Sequence, residues 1–500
     1  MTAGKVERIE TLLITALIIA AAIRIFLFIA AFPFFNNVDE EEHFDLVYKY
    51  SEGSLPGANM ESYCRAAVEL ILLYGTPEYY TKPERWPNNR FPAPVWTRPD
   101  MRKSEQFTKL AGEYKPVGNY QTGEFPFYYL TAGLWCATVK SLGIEDGRLL
   151  YWIRFMNIPV FAALVAVSYF FARKIFPDNI YLKFSLPLIV AFWPQDSFYS
   201  ISNDVLSPLL FALAFLAILQ IYFEDKSFAY HFYTGLVIAA TLLTKRSNIV
   251  VLFVLCVIIT LKLRKHFSNR NVNQYLPKLL ILLVAAMLPM AILFTRNYLV
   301  FGDITASAGK MQYLGWTVKP LSKIWDHPIL TPGGLLFFLS KLTETFWRGE
   351  LIWHWQQLIS AKADLFYVIT TALFFAASAL GLFLRRHKQD AKLRFVLCMS
   401  FCTLAVCVLL MAALSIRYDF DGCFYPSREK PYLVSGRLIS CAALPFFLIY
   451  VNGLKSILAV FKNRLYPIAA LAIIVIIITI SEILLTRPVF GSLYNWFHLS

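Results

Sequence analysis

Charge is what this chain has least of: Asp, Glu, Lys and Arg together make up only 16% of its 500 residues. Soluble domains carry roughly a quarter charged residues, so this shortage beside 57% hydrophobic content excludes a soluble enzyme. Cysteine is scarce as well, with eight in all and no Cys-x-x-Cys pair to suggest zinc. Cys256, Cys398, Cys402, Cys407 and Cys441 lie in apolar runs, which leaves Cys64, Cys136 and Cys423 as candidates for a disulfide. No clear internal repeat is visible, although repeats are the common mark of transporters. A small-residue cleavage site after the first apolar run is also lacking, which argues against a removable signal peptide. The net charge of +14 does not point to nucleic acid, because the basic residues cluster between apolar runs, where the positive-inside rule expects them.

What the chain does have is a series of long apolar runs. They cover 11–32, 150–172, 180–199, 205–223, 228–244, 247–263, 277–296, 364–384, 394–414, 437–453 and 466–485. At 1.5 Å per residue, about 20 residues cross a hydrocarbon layer of roughly 30 Å. The expected fold is therefore an all-α polytopic membrane protein with about eleven transmembrane helices. The segment 125–139 is apolar but short, and charge decides its reading. If it lies in the interface, the cytoplasmic loops hold Lys5, Arg8, Arg173, Lys174, Lys262, Arg264, Lys265, Arg385, Arg386, Lys388, Lys462 and Arg464. If it spans, most of those loops turn outward, against the positive-inside rule. The amino terminus is thus expected inside and the carboxyl terminus outside. Arg24, in the outer half of the first run, must face protein or water or reach the interface.

This reading divides the chain into a first membrane helix in 1–33 and a large extracytoplasmic loop in 34–149 that carries interfacial helices. Membrane helices two to seven follow in 150–296, a second external loop in 297–363, and helices eight to eleven in 364–500. Within the first loop, 40–52 and 61–73 have helix-compatible spacing.

Directly behind the first apolar run stands Asn36-Asn37-Val38-Asp39-Glu40-Glu41-Glu42-His43-Phe44-Asp45, with five carboxylates and a histidine. Crowded acids raise one another's pKa unless a cation or proton sits among them, and such groups are functional candidates. Asp39 and Glu40 are the leading pair, with Glu41, Glu42 and Asp45 read as solvent-facing. On a helix His43 would face both leading acids. It could orient a carboxylate, pair structurally, or join Asp39 and Glu40 around a divalent metal, which no spacing compels.

The same external side collects Asp196 and Asp204, Lys245 and Arg246, then Arg296, Arg348 and Arg437. Each has an ordinary alternative: helix capping for the aspartates, snorkelling for Lys245 and Arg246, and loop ion pairs for the other arginines. Together they suit a membrane-borne phosphorylated substrate with a sugar-like part. A carboxylate can take a proton from an acceptor hydroxyl, and Lys and Arg can stabilise a departing phosphate.

The order of motifs resembles the GT-C superfamily of integral-membrane glycosyltransferases, specifically bacterial proteins of the DUF2142 type, related to the protein O-mannosyltransferase and aminoarabinose transferase groups. The matching elements are Asp39-Glu40-Glu41-Glu42-His43-Phe44, Phe125-Pro126-Phe127-Tyr128-Tyr129, Arg154, Ser202-Asn203-Asp204, Leu243-Thr244-Lys245, Arg296-Asn297, Gly302-Asp303, Phe346-Trp347 and Gly436-Arg437-Leu438. The resemblance implies inverting sugar transfer from a polyprenyl-phosphate donor to a glycan, lipid or protein acceptor. It would take place on the extracytoplasmic face of the bacterial inner membrane, with a first-loop acid as base. Asp39 is then the first candidate and Glu40 the second. Lys245 and Arg437 would face the lipid phosphate, and Asp204 would support a substrate pocket. Val38 stands where the family pattern has proline, and the O-mannosyltransferase spacing would instead select Glu40 and Glu41. Two other classes compete: a flippase of lipid-linked sugars, and a scaffold for an envelope polysaccharide complex.

Overall fold

The computed structural model of the chain describes residues 3–35, 39–102, 104–114, 117–384, 390–420, 426–459, 461 and 465–499. Asn36, Asn37, Val38, Arg385, Arg386, Lys388, Cys423, Lys462 and Arg464 lie outside the described residues.

The chain is a mostly helical polytopic membrane protein. Among the described residues, nine helices are long and apolar enough to cross a membrane: Glu7–Ala31, Asp146–Ile175, Leu206–Phe223, Arg246–Ser268, Val272–Phe301, Ala361–Leu384, Ala391–Arg417, Ser440–Leu458 and Leu465–Phe490. The two remaining expected runs form shorter apolar helices, Ile180–Ala191 and Phe228–Thr244. The run read as 180–199 is helical only in its first part, Ile180–Ala191. Pro194 biases the residue before it away from helix, and the chain instead continues as a buried loop with a single 3-10 turn, Asp196–Tyr199. That loop carries Asp196 and leads to Asp204.

The ambiguous apolar segment becomes the helix Phe127–Ser141, which is not among the candidate spans. It packs on the acidic helix Glu40–Ser51 through Tyr129, whose ring lies 5.9 Å from His43 and 5.7 Å from Tyr50. The other expected first-loop helix is Arg65–Tyr74. The Cys64 sulfur caps its amino end by accepting the Ala67 amide, and both Cys64 and Cys136 are free thiols. The disulfide expectation thus fails for that pair.

Arg24 faces protein. Its guanidinium pairs with Glu482 in the last span, and donates to the Tyr199 hydroxyl at 2.8 Å and to the Trp193 carbonyl at 3.2 Å. The ion pair joins the first span, the last span and the buried loop that precedes the site. Two short strand pairs, Thr317–Val318 with Tyr418–Asp419 and Ile352–Trp353 with Gln356–Gln357, organise the later loops.

Candidate functional site

The acidic helix begins with a change of direction. Asp39 occupies the left-handed region at φ 66°, and its side chain does not cap the helix. The carboxylate instead turns toward Tyr120 and Arg437, accepting the Tyr120 hydroxyl at 2.5 Å and lying 3.5 Å from an Arg437 nitrogen. Burial pushes the Asp39 pKa up, but the positive charges of Arg437 and Lys310 outweigh it and hold the acid below its ordinary value. Asp39 is therefore ionised at neutral pH.

Glu40 points the other way. Its fully buried carboxylate forms a two-pronged ion pair with Arg154 at 2.8 and 2.7 Å. One oxygen also accepts the Ile201 amide and the other the Phe35 amide, both at 2.9 Å. With each oxygen holding two donors, the carboxylate has little capacity left for a substrate proton.

His43 is buried, with Nδ1 2.7 Å from the Tyr129 hydroxyl. Burial lowers its pKa to about 4 against the pull of Asp39 and Glu124, so the imidazole is neutral. The expectation that Glu41, Glu42 and Asp45 face solvent is not met. Asp45 is completely buried, accepting from the Cys64 amide at 2.8 Å and Asn119 at 2.8 Å and pairing with Lys49 at 3.0 Å. Glu41 accepts the Tyr114 hydroxyl. Glu42 is pushed up to about 8, first by burial and then by the charges of Asp39 and Glu41.

Opposite Asp39 stands a group of cations built around Asp204. One oxygen of this buried carboxylate pairs with Lys245; the other accepts Ser202 Oγ at 3.1 Å and lies 3.4 Å from Arg437. Burial alone would raise the Asp204 pKa, yet Lys245 and Arg437 hold it down. Arg437, in the 3-10 turn Gly436–Leu438, therefore bridges two carboxylates, Asp39 and Asp204. Its Nε donates to Ser435 Oγ at 3.3 Å, and that hydroxyl donates to Glu350. Asp196 lies behind this link, accepting the Glu350 amide at 2.8 Å. Burial and then the Glu350 charge raise its pKa to about 7. Gly349, at φ 76°, has a double reason to be glycine: a Cβ there would strike the Asp196 carboxylate.

A second ionic group adjoins the first. Glu124 pairs with Arg246 at 3.0 Å and Lys310 at 3.2 Å, and Lys310 sits 5.7 Å from the centre of the Tyr120 ring, which stacks on Tyr313. Asp39, His43, Asp204, Lys245, Arg246 and Arg437 are thus brought together, with Asp196 just behind. Arg296 and Arg348 are not part of the group. Arg296 donates to the Pro56 carbonyl, and Arg348 is committed to Asp364 at 2.6 and 3.1 Å. Nor do Asp39, Glu40 and His43 converge on a metal position, because Glu40 turns to Arg154. Among the described residues, no group of three or more His, Cys, Asp or Glu side chains could hold a metal ion.

A family model described as Predicted membrane protein (DUF2142) matches residues 23–490. The chain belongs to the DUF2142 family. No curated protein matches it. The DUF2142 match takes in the whole ionic cluster, from Asp39 to Arg437, and also the Arg24–Glu482 pair. Three members of the cluster were not singled out from sequence: Tyr120, Glu124 and Lys310. Glu124 stands one residue before the Phe125-Pro126 element, a proximity that could have drawn attention to it. Lys310 is separated from Glu124 by 186 positions, and nothing local announces the contact.

Proposed function

We propose that this cluster is the site of an inverting glycosyltransferase of GT-C type. It moves a sugar from a polyprenyl-phosphate donor to a glycan, lipid or protein acceptor on the extracytoplasmic face of a bacterial inner membrane. The observation that carries the reading is an ionised acid, Asp39, set beside Arg437 and the Asp204–Lys245 pair. In the proposed step the acceptor oxygen bonds to the anomeric carbon as the bond to the phosphate oxygen breaks. The electron pair leaves on the phosphate, and Asp39 takes the acceptor's proton. Arg437 and Lys245 would stabilise the charge on the leaving phosphate.

An eleven-span path is part of this proposal and draws support from parity. Asp39, Arg437, Asp204 and Lys245 form a continuous chain of ion pairs, so they belong on one side of the membrane. Asp146–Ile175 crosses between Asp39 and Asp204, and only a second crossing by Ile180–Ala191 returns the chain to the same side. Phe228–Thr244 must likewise cross to bring Lys245 back to Asp204. With the amino terminus cytoplasmic, the cluster then lies outside.

The test is transfer of radiolabelled sugar from lipid extracts of the native host by the purified protein in detergent. Asp39→Asn is expected to lower turnover by at least about a hundredfold while lipid binding and fold persist; full activity would remove the base assignment. Glu40→Gln is expected to act through lost folded protein, because it leaves Arg154 buried without its counter-charge. The intramembrane Arg24–Glu482 pair favours the flippase alternative, and lipid binding without transfer would move the conclusion there. If Asp39→Asn changed recovery of an envelope complex but not turnover, the scaffold reading would take its place.

A further inference from the structure

The second loop contains a helix whose surface does not suit water. Pro332–Arg348 begins at Thr331, whose hydroxyl accepts the Gly334 amide at 3.1 Å. Its carboxyl-terminal half is buried, but its first half exposes Leu335, Leu336, Phe337 and Leu339, with Leu336 at 67%. No Asp, Glu, Lys or Arg occurs anywhere in 328–340. A water-facing helix normally presents charged or polar residues on its outer face; in this one the first charge, Lys341 with a 39% exposed side chain, comes only after the apolar half.

The partners of the buried half indicate depth. The Trp347 indole donates to Thr371 at 3.0 Å and packs against Tyr450 at 5.3 Å between ring centres. Thr371 lies ten residues into the candidate span Ala361–Leu384, and Tyr450 ten residues into Ser440–Leu458. At 1.5 Å per residue, both place the indole about 15 Å along a membrane-crossing helix. The exposed apolar face is also continuous in kind with the adjoining span, which exposes Leu365, Ile369 and Leu373. At the other end, before the helix starts, come Lys319, Lys323 and Trp325, the last 79% exposed. Basic and indole side chains are the pair enriched where a chain meets lipid headgroups.

We propose that Pro332–Arg348 is embedded in the bilayer leaflet, with its uncharged half against lipid acyl chains and Lys323 and Trp325 at the headgroups. The proposal stands apart from sugar transfer, needing only that the protein lies in a membrane. It also gives the site a lipid boundary, since the helix leads through Gly349 to Glu350, which bonds Asp196 and Ser435.

The test places p-benzoylphenylalanine at Leu336, at Leu339 or at Trp325 in the full chain. The protein is reconstituted into vesicles of phosphatidylethanolamine and phosphatidylglycerol with radiolabelled acyl chains, then irradiated. The comparison position is Arg65, a charged first-loop residue with a 75% exposed side chain. Labelled lipid should be captured at Leu336, Leu339 and Trp325, with none at Arg65. Capture at Leu336 and Leu339 no greater than at Arg65 overturns the proposal. So does a covalent dimer in place of a lipid adduct, which would assign the face to a second copy of this chain.

Discussion

Between Asp39 and Glu40 the backbone passes from the left-handed region into a helix, and the two carboxylates diverge to unlike surroundings. One keeps a tyrosine hydroxyl and a shared arginine; the other is enclosed by Arg154 and two amides. His43 shows a different consequence of the same packing. With its folded pKa near 4 and an ordinary value near 6.5, the unfolded chain binds the proton more readily than the folded one between those limits. The His43 contribution to stability is therefore fully present above about pH 6.5 and is lost as pH falls toward 4. Histidine NMR in micelles, with His43→Asn to assign the signal, should show an imidazole still neutral at pH 5; titration near 6.5 would mean that the ring is not held in its buried contact with Tyr129. At this scale the acidic stretch itself was legible, because five acids behind an apolar run need a physical explanation. The division of labour within it was not, since it depends on partners at Tyr120, Arg154 and Arg437 far along the chain.

Among elements, the pair Ala361–Leu384 and Ser440–Leu458 packs closely at Gly453, where an added Cβ would fall on the Phe374 backbone. Small residues allow such approach between membrane helices, and Asn452 adds a bond to Ser378 at 2.9 Å. Gly453→Ala should lower thermal stability in detergent by about 1–3 kcal/mol, the usual cost of overpacking; an unchanged unfolding midpoint would show that these two helices can separate freely. Long helices were readable from apolar length, and Glu40–Ser51 and Arg65–Tyr74 from their spacing, although the second starts at Arg65 and not at Glu61. The run at 180–199 was misjudged because its second part is apolar for another reason: it is a buried loop lining the approach to Asp196, with Trp193 and Phe198 packed among neighbouring rings. Hydrophobicity does not distinguish a segment buried in lipid from one buried in protein. Arg348 was drawn toward the site for a related reason, as its partner Asp364 lies beyond a loop and no spacing connects them.

For the molecule as a whole, the count of crossings can be tested at one connection. Eleven spans put the link between Leu206–Phe223 and Phe228–Thr244 on the cytoplasmic side, whereas nine spans, without Ile180–Ala191 and Phe228–Thr244, put it outside. Lys226→Cys, with the native cysteines controlled by the unsubstituted chain, should resist a membrane-impermeant maleimide added to intact cells and react once the membrane is opened. Labelling in intact cells would refute the eleven-span path. The paired charges of the first and last spans have a separate consequence, for the order of synthesis. Arg24 and Glu482 are 458 positions apart, and at about 5–20 residues per second a ribosome needs roughly 20–90 s to cover that distance. Throughout that interval the first helix holds an arginine whose counter-charge has not yet been made. A nascent chain interrupted before its last helix would keep that arginine without its counter-charge, a ready signal by which membrane quality control could tell an unfinished molecule from a finished one.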